Sequence, residues 1–186
     1  MANKSEKIAV LGAGTMGAGI AQVSAQAGYE TLVYDVKQEF IDAGLARVRN
    51  FLQGSRTRGR LSAEQEQEIL DRFRTTTSLE DCRGAALVIE AAPEKLDLKR
   101  DIFKQLDSIC APETLLASNT SSFSITAIAA AAQHPERVLG LHFFNPPPYM
   151  HLLELLPTGD TSPNVMARMR ASSERMLGKG VVVAKA

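Results

Sequence analysis

The sequence lacks any surplus of one charge, since its 186 residues carry 21 Lys and Arg side chains against 21 Asp and Glu. A chain without a basic or acidic excess gives no sign of a nucleic-acid partner or of attraction to an anionic membrane surface. It also lacks an apolar run long enough to cross a bilayer, and no signal peptide precedes the first predicted strand. We therefore expect a cytoplasmic protein that binds neither nucleic acid nor membrane.

Cysteine is scarce as well. Cys82 and Cys110 are the two cysteines, and neither belongs to a Cys-x-x-Cys pair or has a histidine nearby. We predict no disulfide framework and no metal site, but reduced structural cysteines typical of a cytosolic protein. A hydrophobic content of 45% and a charged content of 23% are those of a globular protein. A length of 186 residues is that of one ordinary domain, so residues 1–186 are predicted to form a single domain.

Strand patterns and helix patterns alternate along the chain. Short apolar runs predict strands at 7–12, 31–35, 87–91, 115–118, 138–144, 152–156 and 180–184. Helical patterns occupy 15–27, 96–109, 124–132 and 162–177, the last with Pro163 in its first turn and Gly178 just past its end. This alternation is typical of an α/β fold with a mostly parallel sheet covered on both faces. The last strands follow one another more closely, so an antiparallel edge is expected there.

A charged helical excursion follows the second predicted strand. It runs from 37 to 73 and is predicted to break near Gly54 and Gly59. Ser62, with Gln65 three residues later, has the spacing of a capping box that opens a second helix.

A glycine motif joins the first strand to the first helix. Gly12, Gly14 and Gly17 form Gly-x-Gly-x-x-Gly. In a dinucleotide-binding turn the first glycine allows the tight bend, the second lets the diphosphate approach the backbone, and the third lets helix and strand pack closely. The free N–H groups at the start of the helix, where Thr15 and Met16 lie, then face the phosphates. Strand, motif and helix together predict a Rossmann-type, doubly wound domain; the alternative is an ordinary glycine turn.

Asp35 ends the second predicted strand. A carboxylate there can accept hydrogen bonds from the adenosine ribose hydroxyls and would repel a 2′-phosphate, which favours NAD over NADP. Lys37 nearby weakens that preference, and the alternative interpretation is a surface aspartate.

A histidine and a glutamate flank three consecutive prolines. Residues 146–148 are all proline and predict a loop between two strands. If those strands pair antiparallel, His142 and Glu154 come opposite each other, because each is six residues from Pro148. A carboxylate beside an imidazole fixes the orientation of the ring and stabilises its protonated form. The pair could take the proton of an alcohol, while a core histidine bonded to a carboxyl group is the alternative.

A polar cluster at 118–122 follows the fourth predicted strand. The carboxyl ends of parallel strands are where open α/β sheets bind ligands, so Asn119 and Ser121 are candidates for holding a substrate carbonyl or the nicotinamide ribose. A helix cap is the alternative, but a cap requires one such residue.

These motifs resemble the NAD-binding domain of the L-3-hydroxyacyl-CoA dehydrogenases over essentially the whole chain. The matching segments are 12–17, 88–91 with Glu94 and Lys99, 118–122, and 142–146 with Glu154. The run 146–154 and the segment 178–181 look most like versions fused to an enoyl-CoA hydratase domain.

The resemblance implies NAD as cofactor, an acyl-CoA substrate and a role for each matching residue. His142 would be the general base for the 3-hydroxyl group and Glu154 its orienting partner. Ser121 and Asn145 would contact the substrate and the nicotinamide end of the cofactor, whereas Asp35, Glu94 and Lys99 would contact NAD. In this family the excursion after the second strand helps to hold coenzyme A; in this sequence it offers Arg56, Arg58 and Arg60, for which a solvated basic loop is the alternative.

The sequence departs from the family at its C-terminal end. The family continues into an all-helical domain that closes the substrate cleft and forms a homodimer, and that domain is absent from this sequence. We therefore expect the chain to bind NAD but to turn over poorly by itself. The alternatives are an NAD-dependent hydroxyacid dehydrogenase that does not use coenzyme A, such as a sugar-acid enzyme, and a non-catalytic NAD-binding module.

Overall fold

The chain alternates between strands and helices from its first element to its last. A computed structural model describes residues 6–177 and 180–184. The strands are β1 (Lys7–Leu11), β2 (Glu30–Tyr34), β3 (Phe73–Thr76), β4 (Leu87–Glu90), β5 (Leu115–Ser118), β6 (Val138–Phe143), β7 (Leu152–Pro157) and β8 (Gly180–Val183). The helices are α1 (Thr15–Gln26), α2 (Gln38–Thr57), α3 (Ala63–Leu70), α4 (Leu96–Ile109), α5 (Ile125–Ala129) and α6 (Pro163–Leu177), and short 3₁₀ turns occur at Leu79–Cys82 and Pro135–Arg137.

All of the described strands join one sheet in the order β3-β2-β1-β4-β5-β6-β7-β8. Every neighbouring pair is parallel except β6 and β7, which are antiparallel. The strand order reverses between β1 and β4, and this is where open α/β sheets leave a crevice for a ligand. The predicted Rossmann-type α/β fold with an antiparallel pair near one edge is confirmed.

Helices cover both faces of the sheet because successive side chains of each buried strand point to opposite faces. Ile8 and Val10 of β1 belong to one apolar cluster, with Ile20 of α1 and Ile41 of α2. The intervening residues Ala9 and Leu11 join a second cluster that includes side chains of α4 and α5. Burying each large aliphatic side chain contributes about 1.5–3 kcal/mol, so the two clusters fix the sheet between its helices.

The excursion after β2 is helical as predicted, with two corrections. α2 continues through Gly54, because one glycine inside a long helix costs only about 1 kcal/mol; the break comes at Gly59, which has φ +67°. The predicted capping box is present, with Gln65 N donating to Ser62 Oγ at 3.2 Å and Ser62 N to Gln65 Oε1 at 2.8 Å. The excursion does not run to Phe73, which begins the edge strand β3.

The proline segment connects β6 to β7 as a hairpin. The register pairs His142 with Glu154, as their equal distances from Pro148 predicted. β8 then adds in parallel beyond β7. Pro163 is the first residue of α6, whereas the predicted stop at Gly178 lies outside the described residues. None of the helices within residues 6–177 is long and apolar enough to cross a membrane.

Candidate active site

A cavity of about 830 Å³ opens at the carboxyl ends of β1 and β4, where the strand order reverses. Several residues that the sequence predicts to bind the cofactor line it: Gly12, Gly14, Thr15, Met16, Asp35, Glu94 and Asn119. The size is within the range of small-molecule and cofactor sites.

The glycine turn leaves open space where a diphosphate must approach. Gly12 has φ +97°, and a Cβ there would lie 2.6 Å from the Ala91 carbonyl oxygen. A Cβ at Gly17 would lie 1.7 Å from the Gly12 carbonyl oxygen, so α1 can pack on the turn only with glycine there. Around Gly14, by contrast, no heavy atom lies within 4 Å of an added Cβ. The turn is closed beneath and open above, which is the shape that a dinucleotide requires.

Asp35 lies at the rim of the cavity, directly after β2. Its Oδ2 accepts a hydrogen bond from Ala13 N at 2.8 Å, and its Oδ1 accepts one from Val36 N at 2.7 Å. These bonds hold the carboxylate beside the glycine turn while leaving it further acceptor capacity. Lys37 instead pairs with Glu39 at 3.4 Å and is 63% exposed.

A buried ion pair supports the loop after β4. Glu90 and Lys99 both have side chains with 0% exposure, and Lys99 Nζ donates to Glu90 Oε1 at 2.7 Å. Glu90 Oε1 also accepts from Ala92 N at 2.7 Å, and Glu90 Oε2 from Ser118 Oγ at 2.6 Å. Three hydrogen bonds to this buried carboxylate therefore join β4 to α4 and β5.

Lys99 also reaches Glu94, which is 44% exposed in the cavity wall, at 3.3 Å. Lys99 itself does not line the cavity. Lys99 lies beneath the loop and orients Glu94. The resemblance implied a direct contact between Lys99 and NAD, and the buried position of Lys99 does not favour it.

The polar segment after β5 connects the cavity to β6. Asn119 N donates to the Glu90 carbonyl at 2.8 Å, and Asn119 Oδ1 accepts from Phe143 N at 2.8 Å. Thr120 Oγ1 donates to Glu94 Oε2 at 2.7 Å, and Ser121 is exposed. The cap of α5 is Ser124, whose Oγ accepts from Ala127 N, so the segment 118–122 is not the helix cap.

His142 and Glu154 form a hydrogen-bonded pair at the same edge of the sheet. His142 Nδ1 lies 2.8 Å from Glu154 Oε2, and the two side chains are 22% and 32% exposed. Nε2 has no hydrogen bond to a described residue, so the ring can exchange a proton there with a bound molecule. Asn145 is exposed in the loop that follows. His142, Glu154, Ser121 and Asn145 lie outside the cavity lining, and Asn119 joins this group to it.

Arg56, Arg58 and Arg60 lie at the far end of α2 and do not line the cavity. Arg56 Nε is 2.8 Å from Glu66 Oε2, which offsets its charge. Arg58 and Arg60 are exposed and make no ion pair to a described residue. Two of the three arginines thus keep their charge available to a ligand on the surface of the excursion.

Three residues of the site, Glu90, Ser118 and Arg47, are not among those that the sequence predicts to act there. Glu90 and Ser118 lie within the segments 88–91 and 118–122 that match the family, and Glu90 is marked by being a charged residue at the end of an otherwise apolar strand. Arg47 also lines the cavity. No sequence signal marks it, because it lies on the exposed face of a helix that also carries Arg49 and Arg56.

Comparison with known families agrees with this geometry. The family model for the 3-hydroxyacyl-CoA dehydrogenase NAD binding domain matches residues 7–186. The chain belongs to this family. NAD is accordingly the cofactor of the domain.

Two curated relatives illustrate the likeness. The 3-hydroxyadipyl-CoA dehydrogenase of Escherichia coli strain K12 is 45% identical over 164 residues, which cover 88% of this chain and 34% of the relative. The probable 3-hydroxybutyryl-CoA dehydrogenase of Deinococcus radiodurans is 43% identical over 173 residues, 93% of this chain and 62% of the relative. The chain therefore spans about one third to two thirds of the length of these relatives.

Solved structures share the fold closely. The 3-hydroxybutyryl-CoA dehydrogenase of Escherichia coli K12 superposes with a TM-score of 0.94 at 42% identity, over 97% of this chain and 38% of that one. The (S)-3-hydroxybutyryl-CoA dehydrogenase of Ralstonia eutropha gives 0.94 at 38% identity, over 97% of this chain and 64% of that one.

Proposed function

We propose that this chain is the cofactor-binding part of a dehydrogenase that interconverts L-3-hydroxyacyl-CoA and 3-oxoacyl-CoA, in fatty-acid β-oxidation or a related CoA pathway. The observation that carries the proposal is the His142–Glu154 pair, with its 2.8 Å hydrogen bond and unengaged Nε2, next to the NAD cavity. Binding a nucleotide requires no such pair. The names of the relatives supply the substrate class, since each acts on a 3-hydroxyacyl-CoA.

His142 Nε2 takes the proton of the 3-hydroxyl group in the oxidative direction. Glu154 holds Nδ1, so that the ring presents Nε2 and the positive charge that develops on the imidazole is stabilised. NAD, when bound, supplies the hydride acceptor. The partly buried position of the pair favours this role, because Glu154 holds the ring at Nδ1 while Nε2 bonds to no described residue.

Ser121 and Asn145 are proposed to contact the substrate and the nicotinamide end of the cofactor. Both are exposed, and Asn119 joins their loops through its bond to Phe143 N. Arg58 and Arg60 are proposed to bind the coenzyme A phosphates, because their charges are not offset by a described carboxylate. Arg56 is the weaker candidate, since Glu66 already pairs with it.

We also infer that the whole dehydrogenase, of which this chain is proposed to be the cofactor-binding part, works as a homodimer in the cytoplasm. The two cysteines support a reducing compartment, because Cys82 and Cys110 are buried and free. The dimer is proposed to form through parts of the relatives beyond the matched region.

Reduction of acetoacetyl-CoA, followed as loss of NADH absorbance, tests the proposal. It should be measured with this chain and with the chain joined to the remaining C-terminal part of the Deinococcus relative. We expect both to bind NADH and the longer protein to be the active one. His142→Gln in the longer protein should abolish turnover while retaining NADH binding, whereas His151→Gln, which changes an exposed histidine nearby, should not.

Other outcomes select the alternatives. If neither protein reduces acetoacetyl-CoA while both bind NADH, the substrate assignment is wrong and free hydroxy acids are tested next. If His142→Gln leaves turnover intact, the proposed base is wrong, and a non-catalytic role for the domain is favoured.

A further inference from the structure

The described residues that line the cavity include two acidic side chains and one basic side chain, that of Arg47. Asp35 and Glu94 are acidic, and Arg47 is the only cation among the described residues that line the cavity. The ligand of this cavity carries a diphosphate, which is itself negatively charged. The N-terminus of α1 supplies only about half of an elementary charge to offset it.

Arg47 reaches the cavity because α2 lies directly against the glycine turn. Gly44, one turn earlier, makes the close approach possible, since a Cβ there would lie 2.6 Å from the Ala13 carbonyl oxygen. Arg47 Nη1 donates to that same carbonyl oxygen at 3.3 Å. The guanidinium therefore contacts Ala13, the residue that precedes Gly14 in the glycine turn. The space next to Gly14 is open.

Most of the hydrogen-bonding capacity of Arg47 is unused. Its side chain is exposed and makes no ion pair with a described carboxylate. A guanidinium has five N–H donors in a planar fork that matches phosphate oxygens, and one of them accounts for the bond to Ala13. Four N–H donors of Arg47 therefore remain available beside the glycine turn, where the diphosphate is expected to bind.

We propose that Arg47 binds the diphosphate of NAD beside the N-terminus of α1. This inference rests on NAD binding, which the family membership gives, and not on the dehydrogenase activity proposed above. Coenzyme A also contains a diphosphate. NAD is the ligand we assign, because Arg47 shares its cavity with Gly14 and Asp35, whereas the unpaired Arg58 and Arg60 lie at the other end of α2.

NADH binding to this chain, measured by fluorescence titration, tests the assignment. Arg47→Met should weaken binding about 10- to 100-fold, the loss of one charged hydrogen-bonding contact. Arg47→Lys should recover part of the affinity, because it keeps the charge but not the fork. Arg49→Met is the matched control: Arg49 is exposed on the same helix and does not line the cavity, so NADH affinity should stay unchanged.

A ligand series locates the contact. The loss in Arg47→Met should appear with ADP and ADP-ribose but not with adenosine, and raising the salt concentration should weaken binding less in this variant than in the parent chain. An equal loss with adenosine, or an equal loss in Arg49→Met, would overturn the assignment. So would a loss of coenzyme A binding with NADH binding unchanged, which would assign Arg47 to the other diphosphate.

Discussion

Two carboxylate–base pairs lie at the same edge of the sheet and differ in almost every other respect. Glu90 and Lys99 are fully buried, and Glu90 accepts hydrogen bonds from Ala92 N, Lys99 Nζ and Ser118 Oγ. The side chains of His142 and Glu154 are 22% and 32% exposed, and Glu154 has His142 as its hydrogen-bond donor among the described residues. The Glu90–Lys99 pair is thus shielded from solvent, whereas the His142–Glu154 pair is partly accessible to it.

The difference separates a structural pair from a chemical one. A fully buried, hydrogen-bonded charge pair holds its surroundings in one arrangement, because removing either member leaves a buried charge without its partner. A partly exposed imidazole that is hydrogen-bonded at one nitrogen can gain and lose a proton at the other. We therefore expect changes in the first pair to lower stability and changes in the second to lower turnover.

Lys99→Met should produce the largest effect. It leaves the Glu90 carboxylate buried without its cation, which costs about 3–5 kcal/mol of unfolding free energy. Urea or thermal unfolding measures this loss. Lys104→Met, an exposed lysine on the same helix, is the control and should stay within about 0.5 kcal/mol of the parent chain. A loss for Lys99→Met no larger than for the control would contradict the structural role.

Thiol labelling gives a second measure of the same change. Burial raises the pKa of Cys82 from 9.0 to about 12 and also raises that of Cys110 at the end of α4. Because these folded-state values lie above the unfolded ones, the protonated thiols contribute stability below about pH 9 that is lost at higher pH. At about pH 8 the parent chain should therefore react slowly with a thiol reagent. Lys99→Met should react faster, because its lower unfolding free energy exposes the two thiols more often.

Glu154→Gln in the longer protein should lower the turnover number about 100-fold. The amide still bonds to the imidazole but carries no charge to stabilise the protonated ring. The unfolding midpoint should hardly change, because the pair is partly solvated. Steady-state acetoacetyl-CoA reduction and thermal unfolding together measure both quantities. If stability fell as far as in Lys99→Met, the distinction between the two pairs would be lost.

Ser118→Ala should have the smallest effect of the three. It removes the 2.6 Å bond to Glu90 Oε2 but keeps Lys99 and Ala92 as partners of the other oxygen. Leaving one buried acceptor without a donor costs about 1–3 kcal/mol, which unfolding curves resolve. In the double variant with Lys99→Met the losses should not add, because both residues share Glu90. Strict additivity would show that the two bonds act independently.

The sequence predicted those parts of the molecule that follow local rules. The His142–Glu154 register follows from the symmetric spacing about Pro148, since an antiparallel hairpin fixes which residues face each other. The glycine turn and the capping box at Ser62 are likewise local. The roles of the predicted site residues remain predictions, although the structure gathers most of the cofactor set around one cavity.

Other features depend on contacts between distant segments. The edge strand β3 has the sequence Phe-Arg-Thr-Thr, without an alternating apolar pattern, and forms because β2 pairs with it. Glu90 and Lys99 meet only when α4 folds back over β4, and Arg47 faces the cavity only because Gly44 packs on Ala13. These contacts between segments that are distant in the sequence cannot be predicted from the residue types alone.

Asn119 links the two pairs, since its backbone is bonded to Glu90 and its side chain to the amide of Phe143, next to His142. That amide proton is donated to a side chain that also lines the NAD cavity. Its chemical shift and its rate of exchange with solvent depend on where the Asn119 oxygen lies. The amide resonance of Phe143 is thus a native spectroscopic probe that requires no introduced label. It should respond both to the binding of the cofactor and to changes at the His142 imidazole.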